Sequence, residues 1–401
     1  MAARRLRELA IVKAAAVPSA ETAIILPPNE GFGPAGVGAI GLLAHRLARA
    51  GAGGIVLGRA SPTTPFDDVP FRAVELGFGL STASRYASGL RRALAEIKPR
   101  LIEVHNRPEI ALRLAGRGVP VSLILNNDPV SMRDSRSVRQ RQHMLRVLAL
   151  VATSSHWLRG RLLDGLGEGL GEGLGEGLGE GLGEGLGEGL GAPALDPIVL
   201  PNCIDVPPRP TGPREPLILF AGRVVRDKGA DSFVAACAEA LPQLPGWRAE
   251  MIGAARFRPN SEDTDFIRAL RPLAETAGVV MRGHLPNDEV LAAMQRAAIM
   301  VVPSRWDEPF GLVALEAMAC GAALVCSPRG GLPEVAGETA LYADPEHPEA
   351  IAGAILELAR DVGLRASRAA AARLRSEGFG APAAAARLCA LRRDVLARQG
   401  G

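Results

Sequence analysis

The sequence predicts an α/β protein of two domains, each built on a mostly parallel sheet. Three observations carry this. The chain has 401 residues, more than one ordinary core accommodates. Short apolar, β-branched runs alternate with segments of helical spacing along most of its length. That alternation breaks once near the middle, at PNCIDVPPRPTGPREP (201–216), whose six prolines fit neither an ordinary helix nor a central strand.

Taken in order, MAARRLRELAIVKAAAVPSA (1–20) has the basic start and small-residue end of an export signal. Glu8 and Lys13 interrupt its apolar part, so a cytoplasmic protein is expected. TAIIL (22–26) is the first strand, followed by a glycine-rich loop, a helix through 41–50 and a strand at 54–58. Further strands are expected at LIEVH (101–105), VSLIL (121–125) and LALVATS (148–154), with helices between them. This βαβα order implies parallel pairing with both sheet faces covered.

Residues 165–191 hold six copies of Gly-Leu-Gly-Glu and a final GLG. Leucine every fourth residue would make a helical stripe, but glycine at every second position costs about 1 kcal/mol apiece against alanine. The segment is expected to be a flexible surface insertion with no catalytic role. The first domain is thus expected over 1–200 and the junction over 201–216. Alternation restarts at LILFAG (217–222), with a helix over 231–241, strands at 248–253 and 279–283, and a helix over 264–277 between those two. The second domain is expected over 217–380, followed by an Ala- and Arg-rich helix in 381–401 that packs back on the first domain.

Composition excludes several classes. No run of 18 uncharged apolar residues suggests a membrane span. Aromatics are only 4%, which disfavours base stacking on nucleic acid, so no nucleic-acid partner is expected. The five cysteines include no C-x-x-C pair, which argues against structural zinc. Net charge is +3, and +9 once the six repeat glutamates are set aside, a balance suited to anionic substrates or peripheral contact with an anionic membrane surface. The arginines of 131–146 (133, 136, 139, 141 and 146) form either a face for a lipid-linked or phosphorylated acceptor or an ordinary solvated helix face.

Three clusters carry chemistry. In EPFGLVALEAMACGAALV (308–325), Glu308 lies on a loop after the strand AAIMVVPS, and Glu316 about one turn inside the following helix. On a single helix, eight residues would separate them by roughly 12 Å, too far for a paired-carboxylate hydrolase. At the carboxyl end of a parallel strand the pair would flank a phosphate-bearing ligand at a helix N-terminus and grip its hydroxyls. The plainer alternative is that both only complement the helix dipole. In FAGRVVRDKGAD (220–231), Gly222 follows a strand, Arg223 offers a planar fork to phosphate, and Lys228 a compact charge. Only three of the 46 basic residues are lysines, so a lysine here is unusual. A solvated turn is the plainer reading. GFGPAGVG (31–38) contains a formal G-x-G-x-x-G ending at Gly36, and with Arg59 beyond the next strand it admits an NADP oxidoreductase. The prolines at 27, 28 and 34 argue against that reading.

Together these clusters resemble the retaining glycosyltransferases of family 4, built on two facing Rossmann-like domains, the GT-B fold. Glu308 and Glu316 match that family's E-x7-E pair with PFG after the first glutamate, and GRVVRDKG, a G-R-x4-K-G run, resembles its Gly-Arg…Lys-Gly phosphate motif. PNCID at the junction and the glycine loop ending at Gly36 add to the likeness. The resemblance implies that Gly36, Arg223 and Lys228 bind a donor diphosphate. It implies that Glu308 with the backbone N–H groups of Phe310, Gly311 and Leu312 binds the transferred sugar and phosphate, and that Glu316 holds the ribose. Transfer of a hexose from a nucleotide diphosphate sugar to a glycan or lipid-linked acceptor is the implied activity, with retention and without a metal or other cofactor. Many relatives carry a histidine after the strand equivalent to VSLIL, where this chain has Asn126. Asn126 and His105 are therefore the candidate catalytic groups, and a catalytically silent nucleotide-sugar-binding protein is the alternative.

Overall fold

In the computed structural model, residues 21–34, 38–60, 64–166, 195–209, 212–256 and 261–399 are described. Gly36 and the repeat beyond Leu166 lie outside them. The first domain runs β1 (Thr22–Ile25), α1 (Ala39–Leu47), β2 (Ile55–Gly58), β3 (Phe71–Ala73), α2 (Thr82–Ile97), β4 (Leu101–His105) and α3 (Pro108–Leu114). It continues with β5 (Val121–Leu125), α4 (Val138–Val147), β6 (Leu150–Thr153), α5 (His156–Leu163) and β7 (Ile198–Val199). All seven strands pair in parallel, in the order β3-β2-β1-β4-β5-β6-β7. Ile24 of β1 sits between Val56 and Glu103 in register. Every residue of β1, β2, β4 and β5 is buried, as expected of a sheet covered on both faces.

The second domain repeats the plan. Its strands β8 (Glu215–Ala221), β9 (Arg248–Ile252), β10 (Val279–Gly283), β11 (Ala297–Val302), β12 (Ala323–Cys326) and β13 (Leu341–Tyr342) lie in the order β10-β9-β8-β11-β12-β13. The helices are α6 (Ala230–Ala240), α7 (Asp265–Thr276), α8 (Asn287–Arg296), α9 (Leu312–Cys320), α10 (Leu332–Ala336), α11 (Pro348–Arg360) and α12 (Val362–Glu377). In both sheets the strand order reverses direction beside the first strand, and ligands of open parallel sheets collect outside the carboxyl ends of strands at such a reversal.

The last helix, α13 (Ala381–Ala397), packs on the first domain: Ala381, Ala385 and Leu388 share a core with Leu43, Leu47, Ile124, Ala152 and Leu200. The chain thus crosses between domains twice, and the crossings are paired. Ile204 N donates to Phe379 O at 3.1 Å, and Ala381 N to Ile204 O at 3.0 Å. The helix is anchored by charge as well. Arg392 reaches the buried Glu103 of β4 through Nε at 2.9 Å and Nη2 at 2.8 Å.

The long central strands fall within a few residues of their expected positions. The edge strands β3, β7 and β13, of three, two and two residues, were not expected. Runs that short carry no period of their own and exist because a neighbouring strand offers a ladder. At the repeat, Leu166 joins the first-domain core and Leu195 N donates to Leu145 O at 3.0 Å, so the chain leaves and returns beside α4.

Candidate functional site

The cleft between the domains holds a cavity of about 210 Å³ at the reversal point of the second sheet. Its second-domain wall comes from the end of β8 (Phe220 to Arg223), Lys228, the end of β11 and the loop Glu308–Val313. Its first-domain wall comes from α1 (Ala39, Ile40, Leu43) and from Asn126 and Asn127 after β5, with Asn202 of the junction closing it. Arg223, Lys228, Glu308, Phe310, Gly311 and Leu312 therefore converge on one space.

Local structure explains the convergence. Arg226–Lys228 form a single helical turn ended by Gly229, whose φ of 68° is left-handed. A Cβ there would lie 1.9 Å from Pro303 O, so only glycine lets this turn meet the end of β11. Asp227 O accepts from Arg305 N at 2.9 Å and Trp306 N at 3.0 Å, stitching the turn to the loop after β11. Lys228 Nζ donates to Glu308 Oε1, which also accepts from Ser304 Oγ at 2.9 Å. Gly311, at φ 105°, precedes α9 and leaves the first amides of that helix, from Leu312 onward, beside the cavity. Two cations and a helix N-terminus thus face one half-enclosed space, the combination that holds a phosphate group.

Glu316 is placed differently. It is mostly buried but does not line the cavity, and its Oε1 lies 3.5 Å from Nη2 of Arg46 on α1. Arg46 also reaches Asp205 at 3.5 Å and Cys203 O at 3.4 Å, so the contact spans both domains and the junction. Burial raises the Glu316 carboxyl above its usual range, and Arg46 opposes that rise. Arg46 carried no signal in the sequence, because its partners lie 157 to 270 residues away.

Asn126 is 7% exposed, and neither its Oδ1 nor its Nδ2 has a partner among the described residues. An unpaired buried amide at a cavity wall is costly until a ligand supplies hydrogen bonds. Its backbone is set by Asn106 Oδ1, which accepts from Asn126 N and Asn127 N at 3.1 Å each. Asn106, Asn127 and Asn202 were missed in the sequence, although each sits at or near the carboxyl end of a strand-like run.

His105 is not at the cavity. It is fully buried, its Nε2 lies 3.0 Å from Glu103 Oε1, and it forms part of the Glu103–Arg392 cluster under α13. Alternation explains this: residues two apart on a strand share one sheet face, so His105 lies on the same face as Glu103, where Arg392 of α13 meets it. The start of α1 is occupied as well. Glu30 Oε1 accepts from Gly41 N at 2.9 Å, and a Cβ at Gly38 would strike that carboxylate at 2.3 Å. A dinucleotide pyrophosphate at this helix start would meet a carboxylate already bound there, which argues against the NADP reading.

Residues 207–375 match the family model described as Glycosyl transferases group 1. The matched segment contains Arg223, Lys228 and both glutamates. The chain is 37% identical over 156 residues to "D-inositol 3-phosphate glycosyltransferase" of Acidothermus cellulolyticus, 37% of this chain and 34% of that protein, so it spans about a third of that relative's length. Among solved structures, sucrose-phosphate synthase from Thermosynechococcus elongatus superposes with a TM-score of 0.72 at 19% identity, covering 94% of this chain and 100% of the other. Anabaena Alr3699/HepE in complex with UDP-glucose gives 0.67 at 16% identity, covering 92% and 98%. The fold is GT-B: two domains with parallel sheets facing across a cleft. Among the described residues no helix is long and apolar enough to cross a membrane.

Proposed function

We propose that the chain is a glycosyltransferase of the retaining type, moving a hexose from a nucleotide diphosphate sugar to a glycan or lipid-linked acceptor, with contact at an anionic membrane surface open to it. The observation that carries this is the convergence of Arg223, Lys228, Glu308 and the α9 N-terminus on one interdomain cavity. Negative charge grows on the departing diphosphate in such a transfer, and fixed donors aimed at that charge stabilise the transition state. Two cations and the helix amides supply those donors, so the proposal requires no metal or other cofactor. Glu308 would release Lys228 to the phosphate and accept from sugar hydroxyls, and Glu316 would exchange Arg46 for the ribose. Asn126 would donate to and accept from a sugar hydroxyl. Support for a sugar nucleotide as donor comes from the matched segment and from the UDP-glucose held by Alr3699/HepE.

A thermal-shift screen against UDP-, GDP- and ADP-sugars tests the donor class. A ligand at 100 times its Kd adds about 2.7 kcal/mol to stability. No shift with any of them sinks the proposal. A silent, binding-only protein is the second reading, favoured by an amide rather than an imidazole on the cavity wall. Release of free nucleotide diphosphate in the presence of acceptor separates the two.

The glutamates are expected to differ. Glu308→Gln should weaken intact donor without weakening nucleotide diphosphate, because that product lacks the sugar and Lys228, freed of its carboxylate partner, still meets the phosphate. Glu316→Gln should weaken both, by about 1–3 kcal/mol for a charged hydrogen bond lost. Calorimetric titration with the two ligands decides. Equal losses in Glu308→Gln, or none in Glu316→Gln, would return the pair to helix-end charges.

A further inference from the structure

The loop that carries Glu308 is held from both sides. Behind it lies the turn at 330–331: Gly331 N donates to Glu308 O at 2.6 Å, and a Cβ at Gly330 would come within 2.3 Å of that same oxygen. The opposite side is held by the first domain. Ser155 Oγ donates to Pro309 O at 2.5 Å while accepting from Leu158 N at 3.0 Å, and Ser154 Oγ donates to Pro309 O at 3.4 Å. Proline has no N–H, so this carbonyl is the only hydrogen-bonding group on the Pro309 backbone. Both serines are at most 2% exposed.

A reciprocal contact runs the other way. Glu334 of α10 crosses to the first domain, where Oε2 accepts from His156 N at 2.7 Å and Oε1 from Trp157 N at 2.6 Å. These are orphan donors at the start of α5, where a negative charge is favoured. One domain's carboxylate caps the other's helix, and that helix's own capping serine holds the carbonyl next to Glu308. The turn that abuts Glu308 leads directly into α10, so loop, turn and helix cap form one mechanical unit. Open domains would break both contacts together.

We infer that Ser155 and Glu334 are positioning residues that fix the Glu308–Gly311 loop only when the domains are closed, so that closure sets the grip on the transferred sugar. This rests on the donor reading above. Ser155 and Glu334 touch neither Arg223 nor Lys228, the two cations that hold the diphosphate beside the loop amides, so affinity for a nucleotide diphosphate alone should fall far less than affinity for the sugar nucleotide.

The test is calorimetric titration of the full chain with UDP and UDP-glucose, or the GDP or ADP pair if the thermal-shift screen selects that base. The variants are Ser155→Asp, which keeps a helix-capping oxygen but removes the hydroxyl donor to Pro309, Glu334→Gln, which keeps only one acceptor oxygen, and Ser155→Thr, which keeps both roles. Ser155→Asp and Glu334→Gln should lose about tenfold or more in affinity for the sugar nucleotide, roughly one hydrogen bond's worth, with the diphosphate within twofold of wild type. Ser155→Thr should match wild type for both. Equal losses for both ligands would reduce the clasp to a general brace, and unchanged sugar-nucleotide affinity would overturn it outright. Should Ser155→Asp fail to fold, Glu334→Gln carries the comparison alone. A wild-type chain that binds neither member of any pair overturns the donor reading, whereas a wild type that binds both while the variants show no discrimination overturns only the clasp.

Discussion

Replacing Lys228 or Arg223 by alanine is expected to lower transfer by about 10²–10³-fold, the loss typical when one fixed donor to a developing charge is removed. Both side chains line the cavity, Arg223 just after β8 and Lys228 in the turn before α6, and neither lies in the core. Lys228→Ala frees Glu308 from its ammonium partner while Ser304 Oγ, at 2.9 Å, still holds it, so the loop should keep its place. Folding should therefore be little affected, and the melting transition serves as the control. Initial rates of nucleotide diphosphate release from the donor identified by the thermal-shift screen measure the effect. Activity within twofold of wild type in both variants would remove the phosphate site from the second domain.

Arg392→Met should destabilise the chain by about 3–5 kcal/mol, the usual result when one partner of a buried ion pair is removed and the other charge stays inside. Glu103 is 1% exposed in the middle of β4, and Arg392 and His105 are its partners there. Burial by itself would raise its carboxyl, but the Arg392 guanidinium and the His105 ring overcome this and hold it at about 2, against an ordinary 4.5. A carboxyl depressed in the folded state binds its proton more readily when unfolded. Its stabilising contribution is therefore complete above the ordinary value and lost as pH falls from about 4.5 toward 2. Urea denaturation at pH 7 measures the loss. Repeating it down to pH 3 should show a steeper decline in wild type than in Glu103→Leu/Arg392→Met, which replaces both charges by apolar groups. A single Arg392→Met change costing under about 1 kcal/mol, typical of an exposed ion pair, would show that the helix is held by its apolar face alone.

Alternating apolar runs determine two parallel sheets, because a strand buried on both faces reads as a near-continuous apolar run and alternates with helices that cover it. Spacing along a strand-loop-helix unit determines that Arg223, Lys228, Glu308 and Phe310 to Leu312 lie at strand ends and a helix start, since those are local distances. Tertiary structure decides what crosses between distant segments. It takes His105 away from the cleft by pairing it with Glu103 beneath a helix almost 290 residues later in the chain. It gives Glu316 the buried partner Arg46, and it leaves the Asn126 amide unpaired on the cavity wall. It also sets Ser155 against Pro309 and Glu334 against the start of α5. Apart from His105–Glu103, two residues apart on one strand face, none of these contacts has a sequence period, because a hydrogen bond or ion pair is fixed by distance in space, while sequence patterns report only which face of a local element is buried.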